Sequence, residues 1–353
     1  MEIQQANIIL KLIKMKKLLL LVAIALFISC GGEQKKSEST NDDISVIGFW
    51  ERIGTIQIVK GVKVDTIFFK DLADGDDVIP RQIKAYSNGH FAWLNNQKIN
   101  QQTKDDYKEV ENFPWVSGAG GFGTFSFSEE GEINMNENMT NIIGNIVGWN
   151  NEFRDNVRKN GVNNLTFSSN VDNNKYTQLM QLESEENSVE TWQTGIEYAE
   201  YFEKIPDGEE TKIDGVWKHI ADVRYVNGVP IDTTAVPEGL DDHKIFHKGN
   251  VIVNWDPTTA KAGDNIWGGA GLAGTYEYNN EKEELMEKFT LGTGNWMPQG
   301  NNWPDSYYDI DWIDDDTFIQ VFRTRAVPSE DGSGLVWEEV GEESNGHLNV
   351  RVK

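Results

Sequence analysis

The sequence predicts an all-β chain in which one domain is used twice, and three observations carry that prediction. The first is repetition. Gly48-Phe49-Trp50 is echoed by Gly215-Val216-Trp217, and the run from Val59 to Thr66 by the run from Val226 to Thr233. Gly118 to Phe127 (GAGGFGTFSF) returns as Gly269 to Tyr278 (GAGLAGTYEY). Shared phrases in the same order, with unequal gaps, mark duplicated domains rather than a solenoid of short units. The second is a hairpin signal that occurs in both copies. Ile83 to Ser87, Asn88-Gly89 and His90 to Trp93 read as strand, type I′ turn and strand; Lys244 to His247, Lys248-Gly249 and Asn250 to Val253 are the counterpart. The third is the many short segments that mix β-branched and polar residues, the pattern of a sandwich or a closed barrel.

Each element follows from its residues. Arg52 to Lys60 and His219 to Val226 read as strands near the start of each copy. Across the first hairpin Tyr86 faces Phe91 and Lys84 faces Trp93 on one face; Phe246 with Val251 and Lys244 with Val253 repeat this. Tyr176 to Leu182, Tyr201 to Ile205, Thr317 to Phe322 and Val336 to Val340 read as later strands, and Trp149 to Lys159 as one helix without a clear counterpart. Pro206-Asp207-Gly208-Glu209-Glu210 reads as a linker, so residues 206–211 separate a first domain over 44–205 from a second over 212–353, each with room for one core.

The N-terminus reads as an address. Lys16-Lys17 precedes an apolar run from Leu18 to Ile28, too short to span a bilayer and laid out as a secretion signal over residues 1–29, with Met15 the expected start. Cys30 is the only cysteine, which excludes an intramolecular disulfide. Phe27-Ile28-Ser29-Cys30 resembles a loose lipobox, which makes Cys30 the expected acylated residue, and residues 30–43 read as a polar tether. The membrane is then met through the N-terminal lipid only. Gly31 after Cys30 permits outer-membrane placement, with the periplasmic face or the cell surface left open.

The formal net charge is −25, and removal of residues 1–29, with one glutamate and four lysines, leaves the body at about −28. Such a body disfavours nucleic acid and repels anionic lipid surfaces.

The Gly-x-Trp at each first strand, with "IKAYSNGHFAW", "GTFSF/GTYEY" and "YFEKI/VWEEV", resembles the lipocalin-like domains of secreted Bacteroidota lipoproteins. The resemblance covers nearly all of both halves. It implies two tandem antiparallel β-barrels, in each of which the first-strand tryptophan, Trp50 or Trp217, closes one end as a structural plug.

Candidate site residues follow from chemistry. Gly118-x-Gly120-x-x-Gly123 matches a dinucleotide fingerprint by letter, but the alternating Thr-Phe-Ser-Phe after it is a strand where that motif needs a helix; a tight bend is expected instead. Lys84 and Lys244 face inward if Tyr86, Phe91 and Trp93 do, and a buried lysine needs a partner, for which Glu203 and Glu338 are the expected residues. They form either structural ion pairs or cations that hold a ligand carboxylate, with Arg81 and Trp93 as neighbours. Trp296, Trp303, Tyr307, Tyr308 and Trp312 lie in a Gly-, Asn- and Pro-rich stretch, where rings stack on sugar faces or cap the barrel end. Trp149 with Asn150 and Asn151 offers the same chemistry in the first copy. His243 and His247, roughly 13 Å apart along a strand, are too far apart for one metal. No compact ligand set with zinc spacing appears, so neither a metal nor a cofactor is expected. His90, His243 and His247 are read as surface residues, and Asp309, Asp311 and Asp314 to Asp316 as solvated turn acids rather than a calcium loop.

The expected function is engagement of an oligosaccharide or other small ligand, in polysaccharide utilisation. The alternative is a lyase or dehydratase on unsaturated uronate oligosaccharides, with Lys84 or Arg81 as anchor and Tyr86, His90 or Glu203 moving protons. A structural envelope protein is the third reading.

Overall fold

The computed structural model describes residues 46–59, 62–69, 81–98, 116–127, 134–144, 162–172, 174–181, 196–237, 242–255, 270–293, 305–328 and 335–353. The helix expected over Trp149 to Lys159 lies outside them. Among the described residues no helix is long and apolar enough to cross a membrane.

Nine strands make the first half: β1 (Gly48–Val59), β2 (Val62–Phe68), β3 (Arg81–Ser87), β4 (His90–Lys98), β5 (Val116–Phe127), β6 (Asn134–Gly144), β7 (Val162–Asp172), β8 (Lys175–Gln181) and β9 (Ile196–Lys204). The second half holds β10 (Gly215–Val226), β11 (Val229–Ala235), β12 (His243–His247), β13 (Asn250–Trp255), β14 (Ala270–Asn279), β15 (Glu284–Thr293), β16 (Ser306–Asp314), β17 (Thr317–Phe322), β18 (Thr324–Pro328), β19 (Leu335–Glu339) and β20 (Glu343–Arg351). The order β1-β3-β4-β5-β6-β7-β8-β9 closes through a β1–β9 pairing, and β10-β12-β13-β14-β15-β16-β17-β20 closes through β10–β20. The chain is therefore two tandem eight-stranded antiparallel barrels. Closure pairs the first and last strands of each ring, while β2 and β11 lie outside the rings, each paired only along β1 or β10 among the described residues.

The phrase-level correspondence needs one correction. Val336 to Val340, matched by phrase to Tyr201 to Ile205 in the first copy, falls mainly in β19, which pairs only with β18 as a separate ribbon; β20 is the closing strand. The ribbon is an insertion between β17 and β20, so matching "VWEEV" to "YFEKI" placed the phrase one hairpin too early.

Register makes the duplication exact enough to align residues without a second sequence. Trp50 pairs with Lys84 as Trp217 does with Lys244. Phe125 opposes Glu137 as Tyr276 opposes Glu287. Gln178 opposes Glu200 as Gln320 opposes His347, and Thr55 opposes Glu200 as Asp222 opposes His347. Both first strands also carry a bulge at the same place, between Arg52 and Gly54 and between His219 and Ala221. A bulge resets the in–out alternation of a strand. It turns Arg52 and Thr55, and likewise His219 and Asp222, to the barrel interior, although residues three apart on a regular strand face opposite sides.

The Gly-x-Trp motifs have a local cause. Gly48 and Gly215 adopt φ of 123° and 145°, angles closed to L side chains, and a Cβ on Gly215 would run into the Arg351 guanidinium. The two tryptophans then point into their barrels fully buried, Trp50 Nε1 donating to the Val46 carbonyl at 2.7 Å and Trp217 Nε1 to that of Ile213 at 2.8 Å. Asn88-Gly89 and Lys248-Gly249 all have positive φ, as a type I′ turn requires.

Each barrel has its own core, and a third apolar cluster joins them. Phe49, Ile83, Ala85, Ala92, Leu94 and Phe122 from the outside of the first barrel pack on Val216, Ile245, Ile252, Ala273 and Leu291 of the second. The Phe122 ring stacks on His243 with centroids 3.6 Å apart, and Asn254 Nδ2 donates to the Gly121 carbonyl at 2.9 Å. Residues 205–214 connect the barrels and lie on the β12–β13 hairpin, with Gly208 N donating to the Lys248 carbonyl and Asn250 Nδ2 to that of Pro206.

Candidate functional site

The interior of each barrel carries charge, and the duplication separates what the two barrels share from what they do not. In the first barrel Lys84, 4 % exposed, donates to Gln178 Oε1 at 2.6 Å and lies 3.5 Å from Glu137 Oε1. Glu137 also accepts from Tyr86 OH at 2.6 Å and from Gln178 Nε2 at 3.1 Å. In the second barrel Lys244 donates to Glu287 Oε1 at 2.8 Å and to Gln320 Oε1 at 2.9 Å. Lysine, glutamate and glutamine thus recur at equivalent positions. The phenol recurs too, but from another strand: Phe246 replaces Tyr86, and Tyr308 of β16 hydrogen-bonds Glu287 instead. Burial, reinforced by the neighbouring carboxylate, pushes both the Tyr86 and the Tyr308 phenol well above the ordinary tyrosine range, so both stay protonated donors. A set kept in both barrels, down to replacement of its phenol, is one that the fold itself requires: a buried charge must be paired and its partner's lone pairs filled.

The differences gather at one end, where β1 leaves β3 after Glu51 and takes up β2 from Gly54 onward. There Arg52 NH1 makes an ion pair with Glu200 Oε1 at 3.1 Å and donates to Gln82 Oε1 at 3.3 Å, while NH2 donates to Thr55 Oγ1 at 3.0 Å. Glu200 Oε2 lies 3.9 Å from Lys84 Nζ, which links this mouth to the shared interior set. Phe69 lies 5.3 Å from the guanidinium. The Gln82 side chain is buried, and its Nε2 is an amide donor without a hydrogen-bond partner among the described residues. The register places His219, Asp222, Asp242 and His347 of the second barrel at the positions of Arg52, Thr55, Gln82 and Glu200.

The residues singled out from sequence divide by face. Lys84, Tyr86 and Trp93 point inward, as do Lys244 and Tyr308. Glu203 is exposed on β9 next to inward-facing Phe202, and Glu338 lies on the β18–β19 ribbon 3.4 Å from Arg325, so neither reaches the buried lysines; Glu137 and Glu287 fill that place. Tyr86 and His90 do not meet. His90 lies on the outer face, its Nδ1 2.9 Å from the Asn88 carbonyl and its ring 5.7 Å from Phe122. Arg81 is outside too, paired with Glu51 at 2.6 Å and donating to the Thr290 carbonyl of the other barrel at 2.7 Å. His243, expected at the surface, is buried between the barrels, and His247 is half-buried with its pKa lowered chiefly by burial. Tyr307 is exposed on β16, whereas Trp149, Trp296 and Trp303 lie outside the described residues.

Glu137 and Glu287 were not singled out from sequence, although a signal was there. Glu137 stands midway between Met135 and Met139, and Glu287 between Leu285 and Phe289. An acid with apolar residues two positions away on both sides of a strand faces the core. Arg52 and His219 gave no such signal, because the bulge beside them shifts the alternation.

No protein-family model matches the chain, and no curated protein matches it in sequence.

Proposed function

We propose that the chain is an exported, lipid-anchored binding protein of lipocalin-like type, held at the outer membrane through Cys30. Its first barrel takes the end of a neutral oligosaccharide at the mouth formed by Arg52, Gln82 and Glu200. The observation that carries the reading is the buried Gln82 Nε2 donor beside the Arg52–Glu200 pair. A sugar hydroxyl both accepts and donates. It satisfies the Gln82 amide and returns a proton to Glu200, which a carboxylate ligand cannot do. Glu200 already balances Arg52, and the chain's net charge of −25 adds repulsion, so uronates are the weaker ligands. The depth of the barrel is filled by Trp50, Tyr86, Tyr176 and Phe202, which limits the ligand to the mouth.

Binding is favoured over lyase chemistry by geometry. Tyr86 is engaged with Glu137 away from solvent, and His90 and Glu203 face outward.

Calorimetric titration of the full chain in detergent with neutral and uronate-containing oligosaccharides tests the proposal. The expected result is saturable binding of at least one neutral oligosaccharide, weakened roughly 10- to 100-fold by Arg52→Gln or Glu200→Gln, the size of one or two hydrogen bonds to charged groups. Absence of binding to every neutral oligosaccharide, or variants that bind as the native chain does, overturns it.

A further inference from the structure

The four mouth positions of the second barrel make a different kind of site. His219 Nδ1 lies 3.3 Å from Asp242 Oδ2, which orients the ring with its Nδ1 proton toward that carboxylate. The other nitrogen, Nε2, then faces two oxygens, Asp222 Oδ1 at 3.3 Å and the Ala221 carbonyl at 3.0 Å. His347 brings a second Nε2 to 3.7 Å from the same Asp222 oxygen, its ring stacked on that of His219 with centroids 4.2 Å apart. One ligand atom from each of His219, Asp222 and His347 fits within 4.8 Å of the others.

With the proton on Nδ1, the lone pairs of the two Nε2 atoms and of Asp222 Oδ1 meet in a space that a cation between them would satisfy. In the first barrel the cation is built in: Arg52 stands where His219 does, and it pairs with Glu200 and donates to Gln82 Oε1 and Thr55 Oγ1. The second barrel exchanges that arginine for an imidazole and adds two carboxylates, Asp222 and Asp242. A second proton on His219 would supply one positive charge, but His347 stacks on the same ring and shares the same carboxylate oxygen. A divalent ion answers all three ligands together.

We propose that His219 Nε2, Asp222 Oδ1 and His347 Nε2 bind a divalent transition-metal ion, zinc foremost, with Asp242 as the positioning carboxylate behind His219. Ligands held at zinc distances in a tetrahedron stand about 3.3 Å apart; the 3.3 and 3.7 Å separations from Asp222 Oδ1 are near that value, and the stacked imidazoles must turn so that both Nε2 atoms aim at one ion. Two imidazoles and one carboxylate leave coordination positions open. The Asp222 side chain is 59 % exposed, so the ion enters from solvent and keeps water. Gln320, opposite His347 across the β17–β20 pairing, carries a buried Nε2 donor with no partner among the described residues, suited to a metal-bound water or hydroxide. The i, i+3 spacing of His219 and Asp222 is usable only because of the bulge between His219 and Ala221.

The test uses the full chain in detergent, stripped by chelator and titrated with Zn2+ and Co2+. The expected result is one equivalent bound, with a cobalt visible spectrum of a four- or five-coordinate ion. Asp222→Asn and His347→Gln are expected to weaken zinc binding by on the order of 100-fold or more. Asp242→Asn is expected to weaken it roughly 10- to 100-fold, and His90→Gln to leave it unchanged. Asp222 is exposed enough for its variant to fold, and thermal unfolding of each variant checks this. Failure to bind either ion, or binding that survives both Asp222→Asn and His347→Gln, overturns the proposal.

Discussion

Lys84→Met is expected to destabilise the first barrel by about 3–5 kcal/mol, the cost of leaving a buried carboxylate without its cation. The lysine is almost wholly buried, and Glu137 receives Tyr86, Gln178 and Lys84 together. Without the ammonium, Glu137 keeps two neutral donors and an uncompensated charge. Lys84→Met with Glu137→Gln is expected to recover most of the loss, because the amide oxygen still accepts from Tyr86 while the charge is gone. Urea unfolding followed by tryptophan fluorescence gives both numbers. A single variant within about 1 kcal/mol of the native chain would mean that water reaches Glu137, which its burial denies. Lys244→Met is expected to behave alike, since Glu287 is the more deeply buried carboxylate.

Trp217→Ala is expected to cost about 3–5 kcal/mol in the second barrel, the range for truncating a large buried ring. The indole packs on Phe318 with centroids 4.6 Å apart and on Trp312 at 5.9 Å, and the Arg351 guanidinium lies 4.1 Å above it. Trp217→Phe keeps part of that packing but removes the donor to the Ile213 carbonyl, and about 1–3 kcal/mol is expected for it. Denaturant midpoints of the two variants check the order. Equal losses would mean that the hydrogen bond to the Ile213 carbonyl, not the ring's volume, sets the value of this position.

Much of the fold was legible because it was written twice. The Gly-x-Trp motifs and the Asn88-Gly89 and Lys248-Gly249 turns are local devices, each fixed by backbone angles a few residues can encode. The inward direction of Lys84 and Lys244 followed from alternation across those hairpins. Their partners did not, because Glu137 and Glu287 arrive from strands three places round the ring from the lysines, and sequence order suggested Glu203 and Glu338 instead. The barrel-to-barrel face was also hidden. Ile83, Ala85, Ala92 and Leu94 form an apolar outer face on β3 and β4, opposite Lys84, Tyr86, Phe91 and Trp93, and sequence alone does not say that this face meets another barrel. The mouth was least legible. The bulges put Arg52 with Thr55, and His219 with Asp222, on one face against the rule of alternation, and β20 brings His347 from 128 residues beyond His219.

The central claim is that the shared lysine, glutamate, glutamine and phenol hold each barrel, while the divergent mouth is free to specialise. The direct test gives the second barrel the first barrel's mouth, through His219→Arg, Asp222→Thr, Asp242→Gln and His347→Glu together. The quantity read is the unfolding free energy of the chelator-treated chain in urea. A value within about 1 kcal/mol of native is predicted, since in the equivalent frame Arg52 already pairs with Glu200, Gln82 Oε1 and Thr55 Oγ1. A loss as large as that expected of Lys244→Met, about 3–5 kcal/mol, would contradict the account and make the mouth part of what holds the barrel together.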